Sequence, residues 1–190
     1  MRDYIKNYIT DSANTKQAIL NNGDLINLVQ KVAEIIISAY KNGHRVLTIG
    51  NGGSAADAQH IAAELVSKFM IDRPAMNALA LTTNSSVLTA IGNDYNNDYI
   101  FSRQVQAYGQ KGDILVAIST SGNSINIVNA LIEAKKIGLT TVGLSGHNIA
   151  KMDEFCDFII KVPSSSTPII QESHIMIGHI ICALVEKALY

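Results

Sequence analysis

The chain has 190 residues, enough for one domain with a continuous hydrophobic core. Hydrophobic residues make up 47% and charged residues 16% of the chain, which excludes an intrinsically disordered protein. A net charge of −1 argues against broad nucleic-acid binding, since such binding depends on an excess of lysine and arginine. The N-terminal residues contain no apolar stretch typical of a signal peptide, and we expect no membrane span. Cys156 and Cys182 are isolated in the sequence, which favours a reduced, cytoplasmic setting.

The first predicted elements are two helices, followed by a series of strands. The helices are expected over about Asp3–Asn21 and Asp24–Lys41, with Asp24 as the cap of the second helix. Strands that are covered on both faces are largely apolar, and five short runs of the chain have this character. The predicted strands are Arg45–Ile49, Asn77–Leu81, Asp113–Ile118, Thr140–Leu144 and Phe158–Val162.

Helical segments separate the predicted strands and follow the last one. They are expected over Ala55–Phe69, Ser85–Ile91, Asp98–Tyr108, Ser124–Ile137, Ile149–Phe155 and Thr167–Leu189. This alternation predicts an α/β fold, a three-layer αβα sandwich with a central five-stranded parallel sheet and an added N-terminal helical hairpin. We expect a single domain over 1–190, with the N-terminal helices at 1–43 and the sandwich and C-terminal helix at 44–190.

A loop rich in hydroxyl groups follows the third predicted strand, where parallel sheets bind ligands. This Ser/Thr loop runs from Ser119 to Ser124 with the sequence Ser-Thr-Ser-Gly-Asn-Ser and precedes a predicted helix. Hydroxyl groups and the free N–H groups of a helix N-terminus can together hold a phosphoryl group. The loop has no lysine or arginine, which favours a small phosphorylated molecule over a nucleic-acid backbone. Ordinary capped turns have a similar composition, so the loop alone leaves both interpretations open.

A second unusual loop, the glycine loop, follows the first predicted strand. It runs from Gly50 to Ser54 with the sequence Gly-Asn-Gly-Gly-Ser, which allows close approach of the backbone to a ligand. With Ala55 it has the spacing of a dinucleotide-binding fingerprint. That interpretation is disfavoured, because the next strand ends at Leu81 and is followed by Thr-Thr-Asn without the expected acidic residue.

Four polar side chains on two predicted helices are candidate metal ligands. His60 and Glu64 are four residues apart and share a helix face, while Gln171 and His179 lie about 80° apart on one broad face of the last helix. His174 is about 140° from His179 and is expected to face elsewhere. Convergence of the four candidates would suit a divalent metal such as zinc. In the alternative interpretation, His60 and Glu64 form a surface pair and His179 is a core histidine bonded to a backbone carbonyl.

The glycine loop, the Ser/Thr loop and the segment Gln171–His174 resemble the SIS (sugar isomerase) domain family. More narrowly, the chain resembles the sedoheptulose 7-phosphate isomerases (phosphoheptose isomerases) along essentially its whole length, including Leu79–Thr82 and Leu88–Asp94. The resemblance implies conversion of sedoheptulose 7-phosphate to D-glycero-D-manno-heptose 7-phosphate, the first step towards activated heptoses for lipopolysaccharide core, S-layer glycan or capsule. It also implies a homotetramer with active sites at subunit contacts, and neither nucleic acid nor a membrane as a partner.

The same resemblance implies roles for individual residues. It assigns zinc to His60, Glu64, Gln171 and His179. It assigns substrate binding to Asn51, Gly52, Gly53, Ser54, Glu64, Asn93, Asp94, Ser119, Thr120, Ser121, Ser124 and Gln171. An enediol mechanism needs one base and one acid, and we predict Glu64 as the base and His179 as the acid. A carboxylate bound tightly to zinc is a poorer base, so the sequence leaves open whether the metal is catalytic or structural.

Two other functions remain open at this point. A related group of SIS proteins keeps the fold and the tetramer but binds the bacterial replication initiator without catalysis. In that group the residues that match Glu64 and His179 are replaced, whereas this chain has both. An isomerase of a different sugar phosphate would share the same loops. A DNA-binding regulator would need an added helix-turn-helix domain, for which the chain has no room.

Overall fold

The computed structural model describes residues 1–190 and contains a five-stranded parallel sheet with helices on both faces. The strands are β1 (Val46–Gly50), β2 (Ala78–Ala80), β3 (Ile114–Ile118), β4 (Thr140–Gly146) and β5 (Phe158–Val162). The helices are α1 (Arg2–Leu20), α2 (Gly23–Lys41), α3 (Gly53–Val66), α4 (Ser85–Asp94), α5 (Ser102–Tyr108), α6 (Ile125–Ile137) and α7 (Thr167–Leu189). The predicted αβα sandwich with an N-terminal helical pair is confirmed.

The start of α2 differs from the prediction. Its cap is Asn22, whose side-chain oxygen accepts a hydrogen bond from the N–H of Leu25 at 3.1 Å. Asn22 lies in extended backbone just before the helix, where its side chain can reach a free N–H of the first turn. Asp24 is already inside that turn, so the predicted cap at Asp24 is wrong, although its charge still favours the helix dipole.

Three other predicted helices are shorter or are interrupted. The helix predicted over Ala55–Phe69 begins at Gly53 and ends at Val66, so Phe69 lies in a loop. The segment predicted as Asp98–Tyr108 is divided into a 3-10 turn at Asn97–Tyr99 and α5. The segment Ile149–Phe155 forms a 3-10 turn only at Lys151–Phe155. Local sequence rarely determines whether a short segment forms an α-helix or a 3-10 turn, because tertiary contacts decide whether the turns tighten.

The strand order β2-β1-β3-β4-β5 determines where a ligand can bind. The chain proceeds from β1 to β2 in one direction and continues from β3 to β5 in the other. Gly50 at the end of β1 pairs with Ile118 at the end of β3. The glycine loop and the Ser/Thr loop therefore leave the sheet side by side at its topological switch point, where open α/β sheets bind ligands.

Alternate residues of each strand face two separate apolar layers. In β3, Ile114, Val116 and Ile118 face the layer formed by α2, α3 and α7. Leu115 and Ala117 face the opposite layer, which includes α5 and α6. Because both faces of the sheet are buried, every position in this strand is apolar, as expected for a central parallel strand.

Helix α7 is the long core helix of the first layer and packs against α2 and α3. Gly178 allows close approach of α3, since a Cβ atom at this position would lie 2.8 Å from Cδ1 of Ile61. By length and composition α7 could cross a membrane, contrary to the expectation that the chain has no such segment. Half of its most apolar window is buried inside the protein, so this property is accounted for by its place in the core.

Candidate active site

A pair of reciprocal hydrogen bonds joins the two loops at the switch point. Asn51 Nδ2 in the glycine loop donates to Asn126 Oδ1 at 2.9 Å, and Asn126 Nδ2 donates to Asn51 Oδ1 at 3.0 Å. Asn126 is the second residue of α6, directly after the Ser/Thr loop. Sequence reasoning predicted Asn51 and missed Asn126, for which the only local signal was an amide beside the loop. The two bonds fix the position of one loop relative to the other.

The Ser/Thr loop is partly ordered by its own hydroxyl groups. Ser119 is buried, and its Oγ accepts a hydrogen bond from the N–H of Gly122 at 3.2 Å and lies 3.5 Å from Oγ of Ser124. Ser124 is the N-cap of α6, yet its side chain makes no capping hydrogen bond. Thr120 is half-buried and Ser121 is exposed in the same loop. The hydroxyl of Ser124 and the N-terminus of α6 are thus available to an anionic ligand.

Gln171 from α7 lies against the glycine loop. A Cβ atom on Gly53 would lie only 2.5 Å from Nε2 of Gln171, so the absence of a side chain at Gly53 is what allows this approach. Gly52 is the N-cap of α3, and Ser54 is buried in the first turn of this helix. The structure therefore brings the predicted substrate-binding residue Gln171 together with the predicted residues of the glycine loop.

Three of the four predicted metal ligands converge. His60 Nε2 lies 2.9 Å from Glu64 Oε1, and His179 Nε2 lies 3.1 Å from His60 Nε2. The ligand atoms of the three residues all lie within 4.8 Å of one another, so the group could hold a metal ion. Gln171 precedes His179 by eight residues, about 12 Å along the helix axis, and lies beside Gly53. Two imidazoles and a carboxylate are a donor set that suits zinc.

Asn93 and Asp94, two further predicted substrate-binding residues, bond to each other. They form the end of α4 and are exposed. Asn93 Nδ2 donates to Asp94 Oδ1 at 2.9 Å, and neither side chain bonds to the glycine loop or to the Ser/Thr loop. The role of these two residues in substrate binding stays a prediction.

Asp57 is a carboxylate near His60 that was not among the predicted site residues. It lies on α3 three residues before His60, a spacing that places both side chains on one helix face. Its Oδ2 atom is buried and has no hydrogen-bond partner. Burial raises the pKa of Asp57, while the nearby His60 acts in the opposite direction. The signal that could have identified Asp57 is this spacing from His60.

Phe69 covers one face of the His179 ring. The two rings are stacked, with their centroids 5.5 Å apart and an angle of 25° between their planes. His60 contacts the same imidazole edge-on, with a centroid distance of 4.9 Å. Sequence reasoning missed Phe69 because it extended α3 over this residue, whereas the helix ends at Val66.

His174 faces away from the His60–Glu64–His179 cluster, as predicted. It is fully buried, and its Nε2 atom lies 3.2 Å from the carbonyl oxygen of Ser145 at the end of β4. Burial lowers the pKa of His174 from 6.5 to about 4, and the hydrogen bond to Ser145 offsets only part of this effect. His174 is therefore a neutral structural residue at neutral pH.

We expect His174 to make the protein less stable as the pH falls from 6.5 towards 4. In this window the unfolded state binds a proton at His174 and the folded state does not, so its contribution is complete above pH 6.5 and is lost on acidification. The loss between pH 7 and pH 4.5 should be about 2 kcal/mol. Urea unfolding at both pH values, with a chelator present, should show a smaller loss for His174→Gln. Equal losses in the two proteins would contradict this assignment.

The fold and the two loops at the switch point define a SIS domain, and the model of that family matches residues 7–146. The chain is 57% identical to a phosphoheptose isomerase of Aneurinibacillus thermoaerophilus, over 100% of this chain and 96% of the relative. It is 55% identical to one of Clostridium acetobutylicum, over 100% and 97% of the two chains. A solved phosphoheptose isomerase from Francisella tularensis superposes with a TM-score of 0.94 at 34% identity, covering 97% of each chain. This chain belongs to the phosphoheptose isomerase family of SIS-domain proteins.

Proposed function

We propose that this protein isomerises sedoheptulose 7-phosphate to D-glycero-D-manno-heptose 7-phosphate, the entry step to activated heptoses. The main support in the structure is the contact of His60 with both Glu64 and His179. His60 and Glu64 lie on α3, the helix that begins at the glycine loop, and His179 reaches them from α7. Relatives named phosphoheptose isomerase match the whole chain at 57% and 55% identity. Both residues of the proposed acid–base pair, Glu64 and His179, are present.

The Ser/Thr loop binds the phosphate of the substrate in this proposal. Ser119, Ser121 and Ser124 donate hydrogen bonds to it, together with the N–H groups at the start of α6. The glycine loop and Gln171 contact the sugar chain. Binding energy from the phosphate, which is remote from the reacting carbons, aligns those carbons with the acid–base pair.

Glu64 and His179 perform the proton transfers. The carboxylate of Glu64 accepts the proton from the carbon next to the substrate carbonyl, while His179 donates a proton to the carbonyl oxygen and so forms an enediol. Return of a proton to the neighbouring carbon, with the two roles exchanged, gives the aldose. His60 holds Glu64 by the hydrogen bond at 2.9 Å, which limits the rotation of the carboxylate.

The residues also fit a zinc ion. His60, Glu64 and His179 present two imidazole nitrogens and a carboxylate oxygen within 4.8 Å of one another. Gln171 is proposed as the fourth ligand on the family resemblance alone, since it lies beside Gly53, about 12 Å from His179 along the axis of α7. When bound, zinc would polarise the substrate carbonyl and stabilise negative charge on its oxygen. The side chains would then serve both to hold the metal and to move protons.

An NMR time course with sedoheptulose 7-phosphate tests the proposal directly. Purified protein, with and without a chelator, should convert the ketose into the aldose heptose 7-phosphate. Loss of conversion on chelation, restored by added zinc, would support a working metal. Binding of the ketose phosphate without conversion in either condition would contradict the isomerase and favour a sugar-phosphate sensor. Conversion of a different ketose phosphate, with none of sedoheptulose 7-phosphate, would assign a different substrate to the enzyme.

We also propose that the enzyme works in the reduced environment of the cytoplasm. Cys156 and Cys182 are free cysteines. Burial raises the pKa of both thiols to about 12, so neither forms a reactive thiolate at neutral pH. Free, unreactive cysteines support a compartment in which disulfides do not form.

A groove on the helical face supports the proposed homotetramer. Side chains of α1, α2 and α7 enclose about 540 Å³ of mostly apolar space, and Ile26, Ile180 and Leu184 remain substantially exposed there. Contact between copies would remove this surface from water. We expect light scattering to give the mass of four chains of 20.5 kDa each. Ile180→Asp should give smaller species, whereas Ile149→Asp, in an exposed loop, should not. A monomeric wild type would contradict the tetramer.

A further inference from the structure

We propose that Arg73 and Glu186 are positioning residues for catalysis: together they fix the loop 67–73, so that Phe69 stacks on His179 and holds the acid in its working orientation. This inference rests on the proposed isomerase function. Neither Arg73 nor Glu186 bonds to the glycine loop or to the Ser/Thr loop, so their effect on the reaction passes through His179 and Glu64.

Glu186 binds the backbone of the loop from α7. Its carboxylate accepts hydrogen bonds from three consecutive N–H groups, those of Phe69 at 3.0 Å, Met70 at 2.7 Å and Ile71 at 3.3 Å. The side chain is almost fully buried. Burial alone would raise the pKa of this carboxyl, but the donors together lower it, so the group is ionised at neutral pH. A buried charge that three backbone amides share fixes the course of the loop.

Arg73 joins this carboxylate to the end of the helix that contains the proposed base. Its Nε donates to Glu186 at 3.0 Å, and the side chains of both residues are at least 97% buried. Nη2 donates to the carbonyl oxygen of Glu64 and Nη1 to that of Leu65, each at 2.8 Å. The guanidinium therefore satisfies carbonyl groups that the end of α3 leaves without a partner inside the helix. Arg73 thus fixes the backbone of Glu64 as well as the loop.

The positions on α7 explain why the ion pair affects His179. Glu186 follows His179 by seven residues, so the two side chains lie about 20° apart around the helix and about 10 Å apart along it. The loop that Glu186 holds runs beside the same face of α7, and Phe69 meets the ring of His179 there. The same face of α7 therefore contains both the proposed acid, His179, and Glu186, which binds the loop that contains Phe69.

The stacked ring of Phe69 restricts the orientation of the His179 imidazole. Rotation about χ2 of histidine is broad, so the imidazole needs contacts to define its plane. His60 contacts the His179 ring edge-on, and Phe69 contacts one of its faces. Removal of the Phe69 ring would leave that face open and allow His179 to turn away from the substrate oxygen. Proton donation requires defined geometry, whereas binding of the remote phosphate does not.

Kinetics of Phe69→Leu test this inference without removing the buried charge pair. We expect kcat to fall about tenfold while KM stays within about twofold of the wild-type value. Phe69→Tyr should restore kcat because it retains the flat ring. Met70→Ala is the matched control, since Met70 lies on the same loop with an exposed side chain and keeps its N–H bond to Glu186. An unchanged kcat for Phe69→Leu, or a raised KM alone, would overturn the inference.

A measurement that needs no turnover tests the connection from the ion pair to the ring. The NMR spectrum of protein labelled with ¹³C-histidine contains few imidazole signals, because the chain has five histidines. The signals that disappear in His179→Asn are those of His179. Loss of the Phe69 ring current should move the His179 signals downfield in Phe69→Leu, and Glu186→Gln should move them the same way. Unmoved signals in Glu186→Gln would overturn the positioning role. An inactive wild type would instead refute the proposed function, and these shifts would still decide whether the ion pair places Phe69.

Glu186→Gln leaves Arg73 buried without a counter-charge, which is strongly destabilising in most proteins. If this variant does not fold, Arg73→Lys replaces it in the same experiment. Lysine keeps the charge but cannot reach Glu186 and the carbonyls of Glu64 and Leu65 at once. The His179 signals of Arg73→Lys should then move towards those of Phe69→Leu, and signals that match the wild type would contradict the inference.

Discussion

Glu64→Gln is expected to lower kcat by about three orders of magnitude, within the range for loss of a general base. The amide has nearly the same shape as the carboxylate and can keep a hydrogen bond to His60, but it cannot accept the proton from carbon. Turnover would be followed by NMR. A second measurement in D₂O would follow deuterium entering the substrate next to its carbonyl, which reports proton removal even when no product is released.

The control for this change is Glu133→Gln, which removes a half-buried carboxylate on α6 that pairs with Lys136 and not with the cluster. It should leave kcat unchanged. Glu64→Gln should also retain the circular dichroism spectrum and the oligomer mass of the wild type, because the substitution conserves volume. Near-normal turnover or deuterium exchange in Glu64→Gln would show that another group is the base, and Asp57 on the same helix face would then be the first residue to examine.

Replacing both Ser119 and Ser121 with alanine is expected to raise KM for sedoheptulose 7-phosphate about 100-fold. Each hydroxyl that donates to a charged phosphate contributes about 1.5–3 kcal/mol, and two such bonds account for a change of this size. We expect a smaller loss of kcat, because Ser124 and the N–H groups at the start of α6 still hold the phosphate and align the reacting carbons. Inorganic phosphate, as a competitive inhibitor of the wild type, should lose potency against the double variant.

Ser121→Ala alone separates the ligand contact from loop structure. Ser119 is buried and its Oγ accepts a hydrogen bond from the N–H of Gly122, so its removal disturbs the interior of the loop. Ser121 is exposed, and its Oγ accepts only a longer, exposed bond of 3.3 Å from the N–H of Asn123, so its removal disturbs the loop less. The single variant should raise KM about tenfold. Ser165→Ala, in the exposed loop after β5, is the matched control and should have no effect. Unchanged KM values in both Ser121 variants would mean that the phosphate binds elsewhere.

Local sequence was sufficient for the parts of the site that lie within one element. The five largely apolar runs predicted the five strands, because strands that are covered on both faces are mostly apolar. The spacing of His60 and Glu64 predicted their contact, since residues four apart on a helix are neighbours whatever surrounds them. The same local reasoning failed at the end of α3, where the guanidinium of Arg73 binds the last carbonyl groups and the chain turns away.

Local sequence patterns were therefore sufficient to identify the class of fold, the two ligand loops and the chemical types of the candidate residues. The tertiary structure alone decided that β1 and β3 are neighbours, which brings Asn51 and Asn126 into contact. It also placed His179 at 3.1 Å from His60, 119 residues away, and Phe69 over the same ring. Periodicity fixes the direction of a side chain about its own helix or strand. Contacts between distant residues depend on how the elements pack, and packing is a property of the whole core.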